Sequence, residues 1–211
     1  MVFREVNPLI EGKNGEELEA VNDFKYLGSW LASSSNDMAI RIAQAWSAHN
    51  KLDKVWRSTL TREMKIRLFQ SLVLSILLYG AETWTLTKTQ QRKLDGVFTR
   101  MLRKTLGLTW EDMVPNKELY GNLPTLSSEL RQRRLRFSGH CWRRTDEICS
   151  QMLMWQPLHG KRRPGAPKRT YIDMLEDDTE LQRDDLQNLM KDRVMWRSYV
   201  DGIRGTPPRP K

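Results

Sequence analysis

From Asp37 onward the apolar residues recur with a helical period. Met38, Ile42, Ala45, Leu52 and Trp56 fall at i, i+4, i+7, i+14 and i+18 and predict an amphipathic helix from about Asp37 to Ser58, with Arg41, Lys51, Lys54 and Arg57 on its other faces. A second helix is expected from Thr61 to Gly80, apolar on most sides of its middle and therefore the most buried. A third opens at Thr87 with Gln90 three residues on, a capping-box spacing. It carries Leu94, Val97, Phe98, Met101 and Leu102 on one face and stops at Gly107.

Before these helices the pattern is β-like. Lys13-Asn14-Gly15 is a hairpin turn signal, Phe24 to Leu31 reads as a strand, and Ser33-Ser34-Ser35-Asn36 as a turn and helix start. Beyond the third helix, Trp110 to Pro124 reads as a linker with a short helical turn. A fourth helix, rich in arginine, is expected from Leu126 to Arg144. The run from Gln156 to Arg169 is too proline-dense to be helical. Two more helices are expected near Tyr171 to Glu180 and Asp184 to Val200, followed by a disordered tail from Gly205.

Four blocks in order carry a resemblance: Phe24-Lys25-Tyr26-Leu27-Gly28, the amphipathic helix after it, Leu77-Leu78-Tyr79-Gly80-Ala81-Glu82-Thr83-Trp84, and Arg134-Leu135-Arg136-Phe137-Ser138-Gly139-His140. The chain resembles the C-terminal part of the endonuclease–reverse transcriptase polyproteins of non-LTR (LINE-type) retrotransposons, from the first block to about Val200. The expected fold is mainly α: a small N-terminal β-hairpin, a thumb-like helical bundle and a second basic helical region. The expected division is 1–35 as palm-end element, 36–108 as three-helix thumb, 109–125 as linker, 126–202 as the basic post-thumb region and 203–211 as tail.

Charge sharpens this picture. The net charge is +9, and between Arg131 and Arg169 eleven Lys and Arg face two acids, so the entire excess lies in that segment. These are Arg131, Arg133, Arg134, Arg136, Arg143, Arg144, Lys161, Arg162, Arg163, Lys168 and Arg169. Guanidinium groups bind phosphate bidentately, and a proline-stiffened Lys161 to Arg169 loop beside them suits a nucleic-acid backbone. The four arginines from Arg131 to Arg136 cannot share one helix face, so some must lie on a partner surface or pair with acids elsewhere. The bland alternative is a solvated face neutralised by Glu111, Asp112 or Asp173. Trp142 and Trp155 lie near the cluster and suit either base stacking or a core.

Catalytic chemistry finds little support. A polymerase holds two metal ions with paired carboxylates on a tight hairpin, whereas Asp177-Asp178 and Asp184-Asp185 stand in helical sequence. The aromatic-x-Asp-Asp pattern is absent. His140, Cys141, Cys149 and His159 lack the close spacing of a zinc site, and His49 on an apolar stripe suits a hydrogen-bonded core histidine. No catalytic residue, metal or cofactor is therefore expected. Two cysteines make no disulfide framework, and no apolar run approaches a membrane span, so an intracellular setting, nuclear or cytoplasmic, without membrane, is expected.

The resemblance implies that Phe24, Lys25, Tyr26, Leu27 and Gly28 form a primer-grip-like hairpin and that the helices after it hold a template–primer duplex. It implies partners as well: RNA, an RNA–DNA hybrid or DNA, and the palm and fingers of a parent polymerase. The functional expectation is a non-catalytic nucleic-acid-binding portion of an RNA-directed DNA polymerase. The alternatives are a truncated element relic, a cellular protein derived from such an element, and a helical protein–protein module whose basic loop meets an acidic partner.

Overall fold

Gly28, with φ of +89°, folds the N-terminal aromatic run back on itself. In the computed structural model, which describes residues 25–26, 28–30, 34–144, 148, 153 and 170–203, strands β1 (Lys25–Tyr26) and β2 (Ser29–Trp30) pair antiparallel with Lys25 opposite Trp30. The single strand expected over Phe24 to Leu31 is thus a tight hairpin with its turn inside. The Lys13-Asn14-Gly15 turn, the proline-rich loop and the tail lie outside the described residues.

Helix α1 (Ser34–Lys51) stops well before Ser58, and the short α2 (Asp53–Trp56) follows it. Trp56 turns inward, its indole Nε1 donating to the His49 carbonyl at 2.9 Å, which draws the chain back against α1. Thr61 caps α3 (Arg62–Leu68) by accepting from Met64 N, as its position before an apolar run implies. The backbone continues through a wide, π-type stretch (Phe69–Leu74) into α4 (Ser75–Leu77) and reaches a left-handed Gly80. Phe69, Val73, Leu74, Leu77 and Leu78 are buried, whereas Leu72, Ser75 and Tyr79 face out. The expectation of burial on most sides is therefore corrected: one face of this helical stretch is open.

Helix α5 (Lys88–Leu106) carries the capping box at Thr87 and Gln90 and ends at left-handed Gly107. Its buried residues include all five of the expected apolar face, Leu94, Val97, Phe98, Met101 and Leu102. They close a core with Met38, Ala45 and Trp56 and with Phe69, Val73, Leu77 and Leu78. His49 is fully buried in it, with Nε2 2.9 Å from Thr105 Oγ1 and the rings of Trp46, Trp56 and Phe69 around it. This is the core histidine the sequence suggested.

The stretch after α5 packs on this bundle. Helix α6 (Asn116–Tyr120) buries Leu119 completely, Tyr120 stacks on Phe98, and Arg62 and Arg103 donate to the carbonyls of Leu119 and Val114, both at 2.7 Å. Helix α7 (Leu126–Arg143) then crosses between two cores. Its Leu126 and Leu130 join the first. Leu135 and Cys141 join a second with α8 (Tyr171–Thr179), α9 (Arg183–Lys191) and α10 (Arg193–Gly202), through Ile172, Leu175, Leu186, Met190, Trp196 and Val200.

The single helix expected over Asp184 to Val200 is two. Asp192 leaves helical geometry, and its carboxylate accepts from Val194 N and Met195 N, capping a new helix. Trp196 then lies directly on Gly139, and its indole donates to the Leu135 carbonyl at 2.9 Å. Among the described residues the fold is mainly α with one small hairpin.

Candidate nucleic-acid interface

A buried carboxylate organises the surface where the hairpin meets the bundle. Asp37, 2% exposed, accepts from Trp84 Nε1 at 2.9 Å and from the Trp30 backbone N at 3.2 Å. Beside it lies Arg41, whose Nε is 3.8 Å from the carboxylate. Its Nη2 donates to the Gly28 carbonyl at 2.6 Å. The same guanidinium lies under the Tyr79 ring, 4.5 Å from its centroid. Arg41, expected on a face other than the apolar one, is buried at 7% exposure. Its work is structural: it neutralises Asp37 and fixes both Gly28 and Tyr79. The Asp37 and Arg41 spacing of four was the available signal, because such pairs meet on a helix.

Three parts of the chain border one shallow open groove here. Ser29 comes from the hairpin, Ser75, Leu78, Tyr79, Gly80 and Glu82 from the α4 end and the turn after it, and Arg133 from α7. Gly80 is needed for this closeness: a Cβ on it would sit 2.7 Å from Ser29 Oγ. Tyr171 of α8 donates its hydroxyl to the Glu82 carbonyl at 2.9 Å, bringing the second core up to the same turn. Burial pushes that phenol well above the ordinary tyrosine range.

The arginines of α7 divide into two sets. Arg134, 1% exposed, pairs with Asp178 at 2.5 Å, and Arg131 grips the Asp178 carbonyl, with its Nε at 2.8 Å. These two close the end of α8 against α7, where cations suit the helix dipole. Both are turned inward, unlike the binding residues expected at these positions. The outer set is Arg133, Arg136, Arg143 and Arg144. Arg133 is held by Glu129 at 3.1 Å, Arg136 by Asp201 at 3.1 Å, and Arg143 donates to the Met190 carbonyl at 3.0 Å. Partial burial and neighbouring Arg193 hold the Arg143 pKa below its ordinary value. Arg144 is exposed. The carboxylates paired with Arg133, Arg134 and Arg136 are Glu129, Asp178 and Asp201.

Lys161, Arg162, Arg163, Lys168 and Arg169 lie outside the described residues, as do Trp155, Phe24 and Leu27. Trp142 is half-buried in the second core and donates to the Gln187 carbonyl at 3.1 Å, a core tryptophan. His140 is exposed and Cys141 buried, while Cys149 and His159 lie outside the described residues. Among the described residues no cluster of three or more His, Cys, Asp or Glu is placed to hold a metal ion. Among them, too, no helix is long and apolar enough to cross a membrane. Asp178 is engaged with Arg134, and Asp184 and Asp185 stand in the first turn of α9, so neither Asp-Asp pair forms a metal-binding hairpin.

The class this defines is a basic, mainly helical protein with inward ion pairs and an arginine-bearing outer face. No known protein family's sequence profile matches the chain, and no solved structure matches it. It is similar to a Caenorhabditis elegans protein named as an uncharacterized transposon-derived protein, 25% identical over 201 residues, covering 87% of this chain and 72% of that one. The similarity supports a transposon origin.

Proposed function

We propose that this chain is a non-catalytic, nucleic-acid-binding portion of a transposon-derived RNA-directed DNA polymerase of the non-LTR type, which holds template–primer or element RNA and target DNA. The observation that carries the reading is the meeting of the hairpin, the Tyr79-Gly80 turn and basic helix α7 around one groove, lined by Ser29, Tyr79, Gly80 and Arg133. These elements carry three of the four blocks on which the resemblance to such polymerases rests. A transposon origin and a net charge of +9 concentrated between Arg131 and Arg169 support it further. The absence of catalysis rests on the use of Asp178 as an ion-pair partner and of Asp184 and Asp185 as first-turn acids.

The test is binding of the chain to an RNA–DNA hybrid, single-stranded RNA and duplex DNA across a salt series. A variant with Arg133, Arg136, Arg144, Lys161, Arg162 and Arg163 changed to Ala spares the inward arginines and so isolates the outer surface. Each lost phosphate contact lowers the slope of log K against log salt by about 0.7 to 0.9, so the variant binds more weakly and with a shallower slope. A folded wild-type chain that binds none of the three overturns the reading and leaves a protein-docking module or an element relic, the second of which the similarity to a transposon-derived protein also suits.

A further inference from the structure

Tyr79 is an aromatic ring held still and half out of the protein. It is 50% exposed, yet one face lies over the Arg41 guanidinium, 4.5 Å from the ring centroid. Arg41 itself is locked by the Gly28 carbonyl at 2.6 Å and by Asp37. A core tyrosine would be covered, and an ordinary surface tyrosine would have no buried cation pinned beneath it. This ring has already lost its freedom in the folded chain, so a ligand that stacks on it bears little further ordering cost.

The groove around the ring has the groups that one nucleotide needs. Ser29 and Ser75 bring hydroxyls, Arg133 brings a guanidinium held in place by Glu129, and Glu82 is the acidic wall. A planar base matches the ring, a phosphate matches Arg133, and the amino group of a base matches the Glu82 carboxylate. An apolar peptide matches less well, since it leaves the hydroxyls and charges without partners.

We infer that the Tyr79 groove is a stacking subsite for one unpaired nucleobase of a single-stranded segment, with Arg133 on the adjoining phosphate. The inference rests on the nucleic-acid reading and deepens it: the outer arginines follow a backbone of any sequence, and Tyr79 separates unpaired from paired bases. Glu82 favours adenine, cytosine and guanine, whose exocyclic amines donate, over uracil and thymine, which lack one.

The experiment measures binding of the full chain to a 12-nucleotide single-stranded DNA carrying 2-aminopurine and to an abasic DNA of equal length. Wild type, Tyr79→Ala and Tyr79→Phe are compared, with circular dichroism confirming that each is folded. Stacking on one aromatic ring is worth about 1–3 kcal/mol, so wild type prefers the base-bearing strand by roughly fivefold to 150-fold. Tyr79→Phe retains this preference and quenches 2-aminopurine as wild type does, while Tyr79→Ala loses both and still binds the abasic strand. Binding of both strands with a preference that Tyr79→Ala leaves unchanged overturns the inference and leaves the broader reading standing. Failure of wild type to bind either strand overturns both.

Discussion

Gly139 and Gly96 both lie within helices, and their surroundings give them opposite roles. A Cβ on Gly139 would meet Trp196 Nε1 at 2.2 Å and Cδ1 at 2.4 Å, so Gly139→Ala drives the indole off α7 and breaks its bond to Leu135. The expected loss is about 1–3 kcal/mol, read as a lower urea midpoint. Nothing lies within 4 Å of a Cβ on Gly96, and Gly96→Ala is expected to stabilise by about 0.4–1 kcal/mol in the same measurement. His49 makes stability depend on pH. Burial first and Lys104 second hold its pKa below 6.5, so on acidification the unfolded chain takes up this proton before the folded one. The contribution is fully present above pH about 6.5 and is lost as pH falls toward the lower folded value. Thermal melts of wild type and His49→Gln between pH 5 and 7 are expected to show a steeper acid loss in wild type. His49 as a core group was legible from its place on an apolar stripe. Gly139 was legible only as part of a block, because its partner is far away in sequence.

At the scale of elements, local chemistry was readable and turns made by distant contacts were not. Thr61, Thr87 and Gly107 delimit helices through bonds within one turn of themselves, and each stands where the sequence placed it. The breaks after Lys51 and at Asp192 went unread, since the stripe continues through Leu52 and Trp56 and the helical pattern continues through Asp192. What ends α1 is Trp56 folding onto the His49 carbonyl. The join between α7 and α8 rests on Arg134 and Asp178, 1% and 13% exposed at their side chains. Removing one partner takes this ion pair from a buried charge, so Arg134→Met or Asp178→Asn is expected to cost about 3–5 kcal/mol. The double change Arg134→Met with Asp178→Leu is expected to regain much of that loss, measured by chemical denaturation as a double-mutant cycle.

For the whole molecule, the balance of charge and the helical period were properties of the chain itself. The period decided a mainly α fold, because apolar stripes on helices must be buried against one another. The concentration of charge between Arg131 and Arg169 pointed to a local surface on the same terms. Neither could assign each arginine to inside or outside. That depended on where Asp178, Glu129 and Asp201 came to rest, and it sets the expectation for salt: the inward arginines do not contribute to the slope, so Arg131→Ala and Arg134→Met should weaken the fold before they alter a phosphate contact. The groove at Tyr79 is tertiary throughout, since Ser29, Tyr79 and Arg133 are brought together by the hairpin turn at Gly28, the left-handed Gly80 and the packing of α7 across both cores. Sequence by itself determined the helical regions, the helix ends at Thr61, Thr87 and Gly107 and the sign of the charge, all of which depend on neighbours within a few residues or on summed charge. Only the tertiary structure decided which cations are internal and which ring is presented to a ligand, because both depend on distances between residues far apart in the chain.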